Sequence, residues 1–96
     1  HNIVGAIKFL KDNGYSIVAA SEKASINYTQ ADYTNPIALV MGAEDVGISP
    51  EVLRLCDTFV SIPMFGNISS LNVSVAAGVM MYEVVRQRLN ADMEVL

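Results

Sequence analysis

Apolar positions along this chain change their period several times, and each change marks an element. Ile3, Ile7 and Leu10 recur at helical spacing, Lys8 and Lys11 lie off that stripe, and Gly14 after Asn13 supplies a stop, so residues 2–13 are predicted to form an amphipathic helix. Residues 15–20 follow as a strand. The stretch 21–36 is polar and turn-rich, with a short extended or helical piece around 26–33 and no strong period. Ile37-Ala38-Leu39-Val40-Met41 is then a continuous apolar run ended by Gly42, the pattern of a strand covered on both faces of a parallel sheet.

Ser49-Pro50-Glu51 is a helix start, with Ser49 as N-cap, Pro50 at the first helical position and Glu51 near the positive end of the dipole; that helix runs to about Cys56. Residues 58–62 form a second short apolar strand, stopped by Pro63. A loop over 66–70 leads into the last helix, residues 71–89. From Leu71 to Tyr82 that helix is apolar on nearly every side, which predicts burial on every side. The alternation of helix and strand indicates an α/β fold with a mainly parallel sheet flanked by helices.

Composition narrows the function. A chain of 96 residues forms one domain and buries roughly 60–70% of its unfolded surface, enough for a core without staples. Net charge is −4, with ten acids against six scattered bases, so the electrostatic footprint of any nucleic-acid contact has to come largely from elsewhere. The single cysteine, Cys56, shares a core pattern with Val52, Leu53 and Leu55 and reads as a small buried hydrophobe. A reducing, cytoplasmic setting follows as the expectation. No apolar run is long enough for a membrane span, and neither a membrane partner nor a metal is expected. The start, His1-Asn2-Ile3-Val4-Gly5, has neither a basic leader nor an initiator methionine, as expected of a cut fragment.

Ligands of open parallel sheets collect at the carboxyl ends of the strands. Two loops lie at such ends, 42–49 and 63–66, and a third, 67–70, opens the last helix and can reach the same edge. "GAEDVGIS" (42–49) is one residue away from the phosphate-binding pattern G-x-x-x-x-G-K-[ST], with Ile48 where the lysine belongs. Glu44 and Asp45 would repel a polyphosphate and suit a ligand with hydroxyls or positive charge; taken alone, the loop reads equally as a turn with solvated acids. Ser70 taken alone is an N-cap. Asn72 is harder to account for, because an amide in the first turn of an apolar helix has to bond a neighbouring loop or face a ligand.

Three stretches, "LVMGAEDVGIS", "VSIPMFG" and "SSLNVSVAAGVMMYEVVRQR", resemble the second and third sequence motifs of the SpoU/TrmH branch of the SPOUT RNA methyltransferases, and in look are most similar to enzymes acting on a guanosine ribose of 23S rRNA. The resemblance runs over about residues 3–89. It implies a C-terminal trefoil knot that encloses the last helix, a homodimer, S-adenosyl-L-methionine as cofactor, and an RNA partner, rRNA ahead of tRNA. Followed motif by motif, it implies that Met41, Gly42, Ile62, Pro63, Met64 and Leu71 hold the cofactor through backbone groups and apolar contact. Glu44 and Ser70 share that site, and with Asn72 they are the polar catalytic side chains. Methyl transfer to a ribose 2′-hydroxyl needs in-line positioning, a group to share the proton and a dry pocket, which suits those residue types. The family's first motif, with its asparagine and arginine, has no counterpart here, and Arg54, Arg86 and Arg88 match other positions. The 96 residues are therefore expected to be the C-terminal, cofactor-binding portion of a longer methyltransferase, the first motif lying upstream of His1. The alternative is a non-catalytic knotted module for dimerisation or RNA binding.

Overall fold

A computed structural model of the chain describes residues 2–42, 47–63 and 73–95, with side chains to residue 92. Each element begins and ends for a local reason. Asn2 caps α1 (Ile3–Asp12), its Oδ1 accepting from the Gly5 N–H at 3.1 Å. Gly14, at φ 87°, turns the chain out of the helix, and the Tyr15 N–H returns to the Leu10 carbonyl at 3.0 Å. β1 (Ser16–Ala20) starts one residue later. A 3-10 turn at Tyr28–Gln30, closed by a reciprocal cap between Asn27 and Gln30, interrupts the long connection to β2 (Ile37–Val40). Ser49 caps α2 (Pro50–Leu53), whose proline stands at the position where a missing N–H costs nothing. β3 is Thr58–Val60 and α3 is Val73–Val95.

The three strands pair in parallel in the order β2-β1-β3, with Val18 opposite Leu39 on one side and Thr58 on the other. The apolar run 37–41 is accordingly not the strand covered on both faces. Ile37, Ala38, Leu39 and Val40 are all half-buried because β2 is an edge, whereas Ile17, Val18 and Ala19 of the central β1 are sealed on both sides. β3 is also shorter than the apolar run 58–62, since Ser61 pairs outward with Asn27 in a single parallel bridge.

Each face of the sheet carries its own core. Ile17 packs with Ile7 of α1 and Val52 of α2, with Leu55 and Cys56 at the margin. The Cys56 thiol donates to the Val52 carbonyl at 3.3 Å, and burial holds it up above its ordinary pKa, which keeps it a packing group. Lys11 locks α1 onto this face by reaching the Leu55 carbonyl at 2.9 Å and Asp57 at 3.2 Å. Asp57 in turn accepts from the Ile17 N–H at 2.7 Å. On the opposite face Val18 and Val60 pack with Tyr33 and with Met80 of α3.

α3 departs from the sequence expectation in a telling way. It is not buried on every side: Met80 and Glu83 are covered, while Val75, Met81, Val85 and Leu89 are exposed and Tyr82 stands 74% open. One stripe rests on the sheet side, and the remainder is left open by the described residues. The buried stripe is partly polar. Gln87 accepts from the Tyr33 N–H at 2.9 Å and donates to the Ala31 carbonyl at 2.9 Å, while Arg88 donates to the carbonyls of Tyr33 and Asn35 at 3.0 Å each. These contacts clasp the irregular segment 31–35 to the helix and satisfy backbone groups that no strand serves. Glu83, 5% exposed, takes both Arg86 nitrogens and the Gln87 amide at 2.8 Å.

That cluster predicts an acid response. Arg86 first and then Gln87 hold the Glu83 carboxyl below its ordinary value of 4.5, against the opposing effect of burial. A carboxyl depressed in the folded state contributes stability above its unfolded pKa and loses that contribution as pH falls through the folded one. Glu83→Gln should therefore be less stable than the wild type at neutral pH, and the gap should narrow as pH drops below 4.5. Urea unfolding across the acid range checks this, and a gap independent of pH would contradict it.

Candidate functional site

All three strands end on one edge, with Val40 level with Ala19 and Val60 level with Ala20. The segments that leave them are Ser21, Met41-Gly42 and Ser61-Ile62-Pro63. Because β1 is central, the β2 and β3 extensions flank its end and face one another across it. Met41 and Ile62 are both half-buried against the Val18, Tyr33, Val60 and Met80 cluster, so each presents an apolar wall on the α3 face. None of these six residues is charged.

Gly42 is where the backbone itself is crowded. A Cβ there would lie 2.6 Å from the carbonyl carbon of Gly47 and 2.8 Å from the nitrogen of Ile48. The loop that leaves β2 therefore comes back over its own first residue. Gly47 closes that return at φ 69°, a left-handed conformation with open space around it.

The β3 side is held from outside the sheet. Ser61 donates its N–H to the Ile26 carbonyl and accepts from the Tyr28 N–H, each at 2.8 Å. Tyr28 is fixed in turn by the Tyr33 hydroxyl, which donates to the Tyr28 carbonyl. Burial above all, then Glu83 and Tyr28, push the Tyr33 phenol up to about 12, so this donor stays protonated throughout the physiological range. Sequence reasoning missed the role of this segment. The signals were present in the Asn27-x-x-Gln30 cap and in two tyrosines within an otherwise polar stretch.

The structure thus brings together four of the residues expected to hold a cofactor: Met41, Gly42, Ile62 and Pro63. Glu44, Met64, Ser70, Leu71 and Asn72 lie outside the described residues. α3 runs from this edge toward the opposite one, since Arg88 and Ala91 lie beside Tyr15, Pro36 and Ile37, where the strands begin. Arg86 and Arg88 are committed to Glu83 and to backbone carbonyls, away from the strand ends.

Comparison with known proteins gives a consistent family. The model of the SpoU rRNA Methylase family matches residues 1–82. The chain is 45% identical over 89 residues to the tRNA (guanosine(18)-2'-O)-methyltransferase of Thermus thermophilus, covering 92% of the chain and 46% of the relative. It is 45% identical over 87 residues to the 23S rRNA (guanosine-2'-O-)-methyltransferase RlmB of Ralstonia nicotianae, covering 91% and 35%. Its fold matches the crystal structure of the SpoU methyltransferase AviRb from Streptomyces viridochromogenes in complex with AdoMet, with a TM-score of 0.78 and 36% identity over 91% of this chain and 34% of that one. The chain spans less than half the length of the relatives it matches.

The crowding at Gly42 and the open left-handed turn at Gly47 make opposite demands. Gly42→Ala should cost on the order of 1–3 kcal/mol, because the added methyl meets backbone that cannot rotate aside. Gly47→Ala should cost roughly 1–2 kcal/mol from its φ alone, and Gly47→Asn should recover much of that, since asparagine tolerates the left-handed region. Urea midpoints of the three variants test the ordering; a Gly47→Asn variant as impaired as Gly42→Ala would contradict it.

Proposed function

The chain belongs to the SpoU rRNA Methylase family, and from that premise we propose that it is the cofactor-binding portion of an S-adenosyl-L-methionine-dependent enzyme that methylates ribose 2′-hydroxyls of RNA. The observation that carries this reading is the convergence of Met41, Gly42, Ile62 and Pro63, all uncharged, on one strand-end edge. Apolar walls and peptide groups beyond the strand ends suit a cofactor with a flat base and a sulfonium flanked by carbon chains. The missing Cβ of Gly42 lets the Gly47–Ile48 backbone close directly over the end of β2. When bound, the cofactor supplies an electrophilic methyl on a sulfonium.

The chain's own residues do the rest in this proposal. Met41 and Ile62 exclude water. Gly42, Pro63, Met64 and Leu71 shape the cradle. Asn72 and Ser70 orient the ribose so that its 2′-oxygen stands in line with the methyl, and Glu44 steadies the loop or the incoming RNA. Held in line with the methyl that the bound cofactor would supply, the 2′-oxygen would take that methyl and give up its proton to a base. Ribosomal RNA is the substrate we favour over transfer RNA, in keeping with the motifs of 39–88.

Assembly belongs to the same proposal: a homodimer, with the last helix enclosed by a trefoil knot. The exposed face of α3 supports the dimer. Val75, Gly78, Tyr82, Val85 and Leu89 follow one another at alternating three- and four-residue steps, a continuous stripe on a 23-residue helix. A Cβ on Gly78 would meet nothing, so a partner helix can come close there.

Three experiments test the reading. Calorimetric titration of S-adenosyl-L-methionine into the longer protein should detect binding to the wild type and none to Gly42→Val. In single-turnover methylation by the longer protein, Asn72→Ala at matched folded fraction should lower the rate on the order of a hundredfold, as expected for a misplaced orienting contact. A rate within about threefold of wild type would return Asn72 to a structural role. Sedimentation should show a dimer at micromolar concentration and a monomer for Tyr82→Glu; an unchanged dimer would remove the α3 stripe from the interface.

A further inference from the structure

The side chains that fasten α3 to the segment 31–35 lie on the sheet face below the strand-end edge, yet their hydrogen bonds run on until they reach it. Gln87 holds Ala31 and Tyr33 by their backbone groups. The Tyr33 hydroxyl holds the Tyr28 carbonyl, and the Tyr28 N–H holds the Ser61 carbonyl. No buried side-chain nitrogen or oxygen among the described residues lacks a partner, so this route has no slack end.

Peptide geometry gives the last bond its meaning. Along a parallel strand the backbone groups of successive residues alternate between its two sides. The Val60 carbonyl accepts from the Ser21 N–H at 2.8 Å and so faces β1; Ser61 therefore faces outward, toward residues 26–28, where its partners are found. The peptide joining Ser61 to Ile62 is planar and trans, like every described peptide of the chain. Fixing the Ser61 carbonyl outward consequently turns the Ile62 N–H inward, over the end of β1 and toward Met41 and Gly42.

We infer that Gln87 is a positioning residue for cofactor binding: by clasping 31–35 to α3 it sets, through Tyr33 and Tyr28, the direction of the Ile62 N–H at the strand-end site. The inference rests on the proposed cofactor reading of that edge. Gln87 suits the task chemically because its amide has one acceptor and one donor end, matched to the Tyr33 N–H and the Ala31 carbonyl. Glu83 fixes which end is which by accepting a second bond from the same nitrogen at 2.8 Å, and Arg86 holds Glu83. A leucine fills similar space and supplies neither bond.

The test has two readouts on the longer protein. Amide hydrogen exchange without cofactor, comparing wild type with Gln87→Leu, should show Tyr28 and Ser61 exchanging on the order of tenfold faster, with Val18 and Leu39 in the β1–β2 ladder unchanged. Calorimetry and steady-state kinetics should show affinity for S-adenosyl-L-methionine weakened on the order of tenfold, KM for the cofactor raised alike, and kcat at saturation near wild type. A merely structural role predicts faster exchange throughout the sheet and no separation of KM from kcat. Wild-type exchange at Tyr28 and Ser61, or accelerated exchange with unchanged affinity, would overturn the inference. Should Gln87→Leu fail to fold, Tyr33→Phe, which removes only the bond to the Tyr28 carbonyl, is judged by the same criteria. A wild type that binds no cofactor would instead defeat the functional reading, leaving the exchange pattern to decide whether the clasp exists.

Discussion

The connection between β1 and β2 has almost no regular structure, yet it runs beneath a helix and contributes the fully buried Tyr33. Backbone polar groups brought so close to an apolar core must be paired, and the sheet has no strand to offer them. The amide of Gln87 and the guanidinium of Arg88 supply what a neighbouring strand would have supplied. That pairing lets Tyr33 stay buried beside Val18 and Val60 and carries the outer support of the β3 extension. The fold's weakest stretch by secondary structure is thus its most heavily cross-linked one.

This dependence also explains what could be read from the chain and what could not. Start and stop signals are local chemistry, so Asn13-Gly14 and Ser49-Pro50 placed α1 and α2 to within a few residues. The α/β alternation likewise survived, and a parallel three-stranded sheet resulted. Strand order is not local: residues 16–20 and 37–41 are both short apolar runs, and nothing in either tells the centre from the edge. Gln87 and Arg88 look like surface residues for a related reason. Their partners are main-chain carbonyls and N–H groups, which leave no mark in a sequence.

The strand-end edge was legible to the extent that its residues border strands. Met41, Gly42, Ile62 and Pro63 converge because parallel strands end together, a consequence of topology once the strands are identified. The contact of Gly47 with Gly42 was hinted at only by the glycine spacing of "GAEDVGIS". The exposed apolar side of α3 is a case where the pattern was right and its immediate consequence was not. A helix apolar all round does demand cover, but a sheet covers only one stripe of it, and among the described residues the rest stays open.

The clasp joins residues 53 to 56 positions apart in sequence, and the helix that makes it is the last element of the chain. Contacts of that span form late, after the entropy of closing a long loop has been met. During synthesis β1, β2 and β3 all leave the ribosome before α3 exists, so the sheet waits with Val18 and Val60 uncovered. The β3 side of the strand-end edge is completed only when the final turns of the helix arrive. A copy that lacks α3 therefore leaves Val18 and Val60 uncovered on that face of the sheet, the kind of exposed apolar strand surface on which chains aggregate.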